Sequence, residues 1–74
     1  NMIKTYILND LDCAACASKI EANIMKIKGV NRVNVNFLAG KIEIDASEED
    51  HEDILKAAKK IVKRYEPDVE LVIG

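Results

Sequence analysis

Val30-Asn31-Arg32-Val33-Asn34-Val35-Asn36-Phe37-Leu38-Ala39-Gly40-Lys41-Ile42-Glu43-Ile44-Asp45 alternates apolar and polar residues on both sides of a short break. Val33, Val35 and Phe37 share one face, with Arg32, Asn34 and Asn36 on the other, which is the period of a half-buried strand. Lys41-Ile42-Glu43-Ile44-Asp45 repeats the pattern, and Leu38-Ala39-Gly40 between them is a short connection with a glycine available for positive φ. Two such strands pair antiparallel, one face apolar and one wet. The rest of the chain must supply what covers the apolar face.

Upstream, Ala17, Ile20, Ile24 and Ile27 recur at the spacing of one helix face, with Lys19, Glu21, Asn23, Lys26 and Lys28 largely elsewhere. Gly29 stands where a helix commonly reverses, and Lys26 and Lys28 suit the negative end of the helix dipole. From Met2 to Leu8 the chain is rich in strand-forming residues, although Ile3 and Ile7 oppose Tyr6 and Leu8, so periodicity leaves the buried face open. Downstream, Ser47-Glu48-Glu49-Asp50 has the form of a capping box. Ile54, Leu55, Ala58, Ile61 and Val62 give a second helix its apolar stripe. Acids crowd that helix at its start, and Lys59, Lys60, Lys63 and Arg64 at its end. Pro67 forbids further helix, and Val69, Leu71 and Ile73 alternate as a last strand. The order β-α-β-β-α-β predicts an α+β, ferredoxin-like sandwich, with two helices on one face of a four-stranded antiparallel sheet.

A chain of 74 residues, 49% hydrophobic and 32% charged with a net charge of -2, is one small globular domain that does not easily enclose a deep substrate pocket. It has no basic excess for nucleic acid, and only Tyr6, Phe37 and Tyr65 are available for base stacking. No apolar run approaches the roughly 20 residues that span a bilayer, and no signal peptide opens the chain, so the piece is expected to be soluble. Asn1 and the end at Gly74 suggest a single domain, residues 1–74, excised from a larger protein.

Asp10-Leu11-Asp12-Cys13-Ala14-Ala15-Cys16 holds both cysteines. In a chain without a signal peptide, a close pair reads as a reduced metal or redox site in the cytosol. Cys13 falls in the loop leaving the first strand and Cys16 in the first turn of the helix. There the dipole and free N–H groups are expected to lower the thiol pKa values. Small Ala14 and Ala15 let two sulfurs converge on one soft ion, or on each other as in a dithiol oxidoreductase. His51, alone among acids, reads as a surface residue.

Leu11-Asp12-Cys13-Ala14-Ala15-Cys16-Ala17-Ser18-Lys19-Ile20-Glu21, with Gly29-Val30, Val33-Asn34-Val35-Asn36 and Gly40-Lys41, resembles the heavy-metal-associated domain across essentially the whole chain. The resemblance implies the same β-α-β-β-α-β fold and a metal-binding rather than catalytic role, with Cys13 and Cys16 as ligands. The family's frequent motif is Gly-Met-x-Cys-x-x-Cys. Here Leu11 stands for the methionine as a core anchor, and Asp12 precedes the first cysteine. An acid there resembles the domains of zinc, cadmium and lead exporting P-type ATPases, in which it is a ligand; otherwise Asp12 only faces the helix dipole. Cu(I) is satisfied by two thiolates, whereas Zn²⁺ wants about four ligands, and Cd²⁺ and Pb²⁺ also take more than two. The implied ions are therefore Zn²⁺, Cd²⁺ or Pb²⁺, with Cu(I) bound by a copper domain or chaperone as the alternative. Asp10 is a solvated loop acid or a supplementary oxygen ligand, and Tyr65, placed in the connection that follows the second helix, packs beside the metal loop or simply caps the core. The implied setting is the cytoplasmic side of a parent in the cell membrane. The domain would be a monomer there, with the transporter's other domains or a metal donor as partners, docked on an acidic surface by Lys59, Lys60, Lys63 and Arg64 or not.

Overall fold

The computed structural model describes residues 1–73. Strand β1 (Met2–Asn9) leads into helix α1 (Ala14–Met25). Strands β2 (Val30–Asn36) and β3 (Lys41–Ala46) follow, then a tight turn (Glu48–Asp50), helix α2 (His51–Tyr65) and strand β4 (Glu70–Ile73). The sheet order is β2-β3-β1-β4, all neighbours antiparallel, so the two β-α-β crossovers place β1 and β3 in the centre. This is the expected ferredoxin-like arrangement.

The hairpin pairs Val35 with Ile42 and Val33 with Ile44, keeping the apolar sets in register, with an irregularity between Val30 and Arg32. Gly40 closes the connection at φ +65°, and its carbonyl accepts the Leu8 N–H at 2.8 Å. The ambiguity in β1 resolves toward Tyr6 and Leu8, which are buried, while Ile3 is 65% exposed on the open face. Ile20 and Ile24 of α1, Ile54, Ala58 and Val62 of α2, and Ile42 and Ile44 of β3 meet in one core. Their burial is the main drive for docking two amphipathic helices on one sheet face.

Three local expectations change. Ser47 makes no side-chain cap, because a tight turn intervenes and α2 starts four residues later at His51. Gly29 has positive φ (+99°) but does not end α1. The helix stops at Met25 with Lys26 as its cap, and Gly29 serves the turn in which the Val30 N–H donates to the Ile27 carbonyl at 3.1 Å. His51 is not a surface residue: it is 2% exposed, with Nε2 at 2.8 Å from the Met2 carbonyl and Nδ1 at 3.2 Å from the Tyr6 hydroxyl. Buried backbone and side-chain partners satisfy both ring nitrogens, which is what makes its burial tolerable.

Candidate metal centre

The chain leaves β1 through Asp10 at φ +66°, a left-handed conformation that aspartate tolerates better than most residues. Leu11 packs half-buried against the core and holds the loop down. Cys13 is the N-cap of α1: its backbone is extended, its carbonyl accepts the Ala17 N–H at 3.0 Å, and its sulfur accepts the Cys16 N–H at 3.2 Å. Sulfur thus fills the place where serine or aspartate oxygen usually satisfies a first-turn amide.

The second wall comes from the far end of α2. Tyr65 is the last helical residue rather than part of the connection, and it packs partly buried against the core. Its hydroxyl accepts from Asn23 Nδ2 at 3.0 Å, and the same amide donates to the Lys19 carbonyl at 2.8 Å, so Tyr65 ties the end of α2 to the last turn of α1. Glu66 follows as the helix cap, its N–H donating to the Val62 carbonyl at 2.8 Å and its carbonyl accepting from Val69 at 3.0 Å. Held at both backbone groups, Glu66 directs its carboxylate to the cysteine loop. One ligand atom each from Cys13, Cys16 and Glu66 lies within 4.8 Å of the others, and all three residues are half-buried.

Sequence reasoning singled out Tyr65 and passed over its neighbour. The signal was an acid immediately before Pro67, where helix must end and the chain must turn back toward the sheet edge next to β1. Asp12 is exposed and lies outside the three-residue group, and Asp10 is exposed as well.

The expected lowering of the thiol pKa does not hold for Cys16, whose thiol is pushed up to about 11. The first cause is its hydrogen bond with Cys13, followed by burial and by the negative charges of Cys13 and Glu66. The hydrogen bond with Cys13, with burial and the neighbouring negative charges, favours the protonated thiol over the thiolate, and a cation held by both sulfurs would displace that proton. Two soft sulfurs and one hard carboxylate suit a borderline divalent ion.

The family profile described as heavy-metal-associated domain matches residues 5–66. The cadmium, zinc and cobalt-transporting ATPase of Bacillus subtilis (strain 168) is 38% identical over 64 residues, 86% of this chain and 9% of that protein. The zinc/cadmium/lead-transporting P-type ATPase of Escherichia coli (strain K12) is 36% identical over 56 residues, 76% of this chain and 8% of its own length. The chain therefore spans about a tenth of these relatives. The N-terminal domain of ZntA, solved in its Zn(II) form, superposes with a TM-score of 0.71 at 25% identity, covering 97% of this chain and 90% of that one. The N-terminal domain of a potential copper-translocating P-type ATPase from Bacillus subtilis, solved in the Cu(I)-loaded state, gives 0.74 at 25% identity over 96% and 84%.

Proposed function

We propose, for a chain that belongs to the heavy-metal-associated domain family, that it is the zinc, cadmium or lead binding domain of a P-type metal-exporting ATPase. It lies on the cytoplasmic side and takes up an ion for delivery to, or regulation of, its parent. Cys13 and Cys16 bind as thiolates. The observation that carries the reading is the Glu66 carboxylate beside both sulfurs. Around a dication, three anionic ligands leave one negative charge uncompensated; around Cu(I) they leave two, in a half-buried place where that is costly. The carboxylate therefore favours the divalent ion. Zn²⁺ takes about four ligands, so a fourth position stays available to water, to Asp12 moving in from the loop, or to an incoming donor during exchange.

Binding of Cu(I) by the two thiolates alone is the second reading, supported by the likeness to the copper-loaded Bacillus subtilis domain. Competition titrations with Zn²⁺ and Cu(I) on Glu66→Ala, Asp12→Ala and Cys13→Ser/Cys16→Ser separate the two. Loss of a direct ligand should weaken Zn²⁺ by at least about tenfold in Glu66→Ala, a loss of about 1.4 kcal/mol, with Cu(I) affinity nearly unchanged. Unchanged Zn²⁺ binding in both Glu66→Ala and Asp12→Ala would sink the divalent reading. Stoichiometric binding surviving in the double cysteine variant would sink both.

A further inference from the structure

The two free edges of the sheet are treated differently. In β2, Val35 opposes Ile42 in a pair whose amides point away from β3, and its outward N–H is taken by Glu21 of α1 at 2.7 Å. Helix α1 thus plugs that edge at Val35. The other edge is β4. Leu8 directs its N–H to Gly40, on the β3 side, so the pairs Leu8 with Leu71 and Tyr6 with Ile73 are non-hydrogen-bonded, and Leu71 and Ile73 turn their N–H and C=O groups outward. Among the described residues no strand lies beyond them in the sheet order.

A groove of about 340 Å³ runs along this edge between β4 and α2. Lys59 and Lys63 line its helix side and residues 69–73 its strand side, where Glu70 and Val72 alternate toward the opposite face of the sheet from Leu71 and Ile73. The two lysines are exposed and stand one helical repeat apart, about 6 Å along the α2 axis. Alternate residues of an extended chain recur at about 6.7 Å. The Lys63 ammonium donates to the Pro67 carbonyl at 3.1 Å, which fixes it at the end of the groove near the turn that carries Glu66.

We propose that the β4 edge receives an extended acidic segment of a partner protein, which adds a fifth strand to the sheet and sets carboxylates at alternate positions against Lys59 and Lys63. Main-chain bonds to Leu71 and Ile73 hold the strand, and the two ammonium groups choose its charge. A second copy of this chain is disfavoured at the same place, because antiparallel pairing would bring two lysine-lined grooves together. The inference is independent of which ion the cysteine loop binds.

Titration of a short peptide of alternating valine and glutamate into the isotope-labelled chain tests this by amide shifts and hydrogen exchange. The expected result is saturable shifts confined to residues 69–73 and to α2 around Lys59 and Lys63, slowed exchange at Leu71 and Ile73, and binding that weakens with added salt. The double variant Lys59→Glu/Lys63→Glu, exposed at both sites, should bind at least about tenfold more weakly. Ile73→Pro, which removes an outward N–H and leaves the β1 pairing intact, should do the same. The inference is overturned if the lysine counterpart of the peptide binds as well, if the double variant binds unchanged, or if the shifts fall on the cysteine loop or on β2. Concentration-dependent dimerisation through β4 would overturn it too, by assigning the edge to a second copy.

Discussion

His51 bonds two partners that are remote in sequence. A carbonyl only accepts, so the bond to Met2 puts the proton on Nε2 and leaves Nδ1 to accept from the Tyr6 hydroxyl. The ring thereby locks the start of α2 to the first and middle residues of β1. Replacing it with alanine leaves a buried hydroxyl and a carbonyl without partners and opens a cavity. Urea denaturation of His51→Ala should show a loss of about 2–4 kcal/mol; a loss under about 1 kcal/mol would mean the bonds carry little. Its burial was half-legible. The flanking acids Glu49, Asp50 and Glu52 read as surface, yet His51 continues the helix stripe of Ile54, Ala58 and Ile61 at spacings of three, four and three. The two cysteines announced themselves by spacing alone. Glu66 did not, because its place beside them depends on where α2 stops relative to a loop some fifty residues earlier.

Helices and strands followed their periods closely, since a buried stripe is a local statement about one element. Element ends were harder to read. Ser47 looked like a cap, but the chain spends residues 48–50 in a tight turn first, and Cys13 caps α1 although thiols are not usual caps. The plug on β2 belongs to the same class of feature: Glu21 sits among the polar residues of α1 in the sequence, and only the crossover brings its carboxylate to the Val35 amide. In Glu21→Ala that amide turns to water and loses a charge-assisted partner. The expected outcome is a stability loss of about 1–2 kcal/mol, together with faster hydrogen exchange at Val35 in native conditions and little change at Ile42. Equal acceleration across β2 and β3 would instead mean the variant loosens the whole hairpin.

At the scale of the molecule, polar attachments sit at both ends of one apolar core, His51 and Tyr6 at one end and the cysteine loop at the other. The first end sets a limit on alkaline stability. Burial raises the Tyr6 hydroxyl above its ordinary 10.0, so the folded chain holds that proton more tightly than the unfolded one. Its contribution is complete below pH 10.0 and is lost as pH rises through the higher folded-state value. Denaturation midpoints measured upward from that pH should fall more steeply in the parent chain than in Tyr6→Phe, which has no proton to lose; parallel curves would assign the alkaline limb to other groups. The second end has a different consequence, which lies in the 3.2 Å contact between the Cys16 amide and the Cys13 sulfur. An amide hydrogen resting on a sulfur draws electron density from it, so that sulfur is a weaker donor to any cation it binds. The first turn of α1 thus acts as a built-in electron-withdrawing substituent. The hold of the loop on an ion would be tuned in part by a peptide group, which among the substitutions at position 16 only proline takes away.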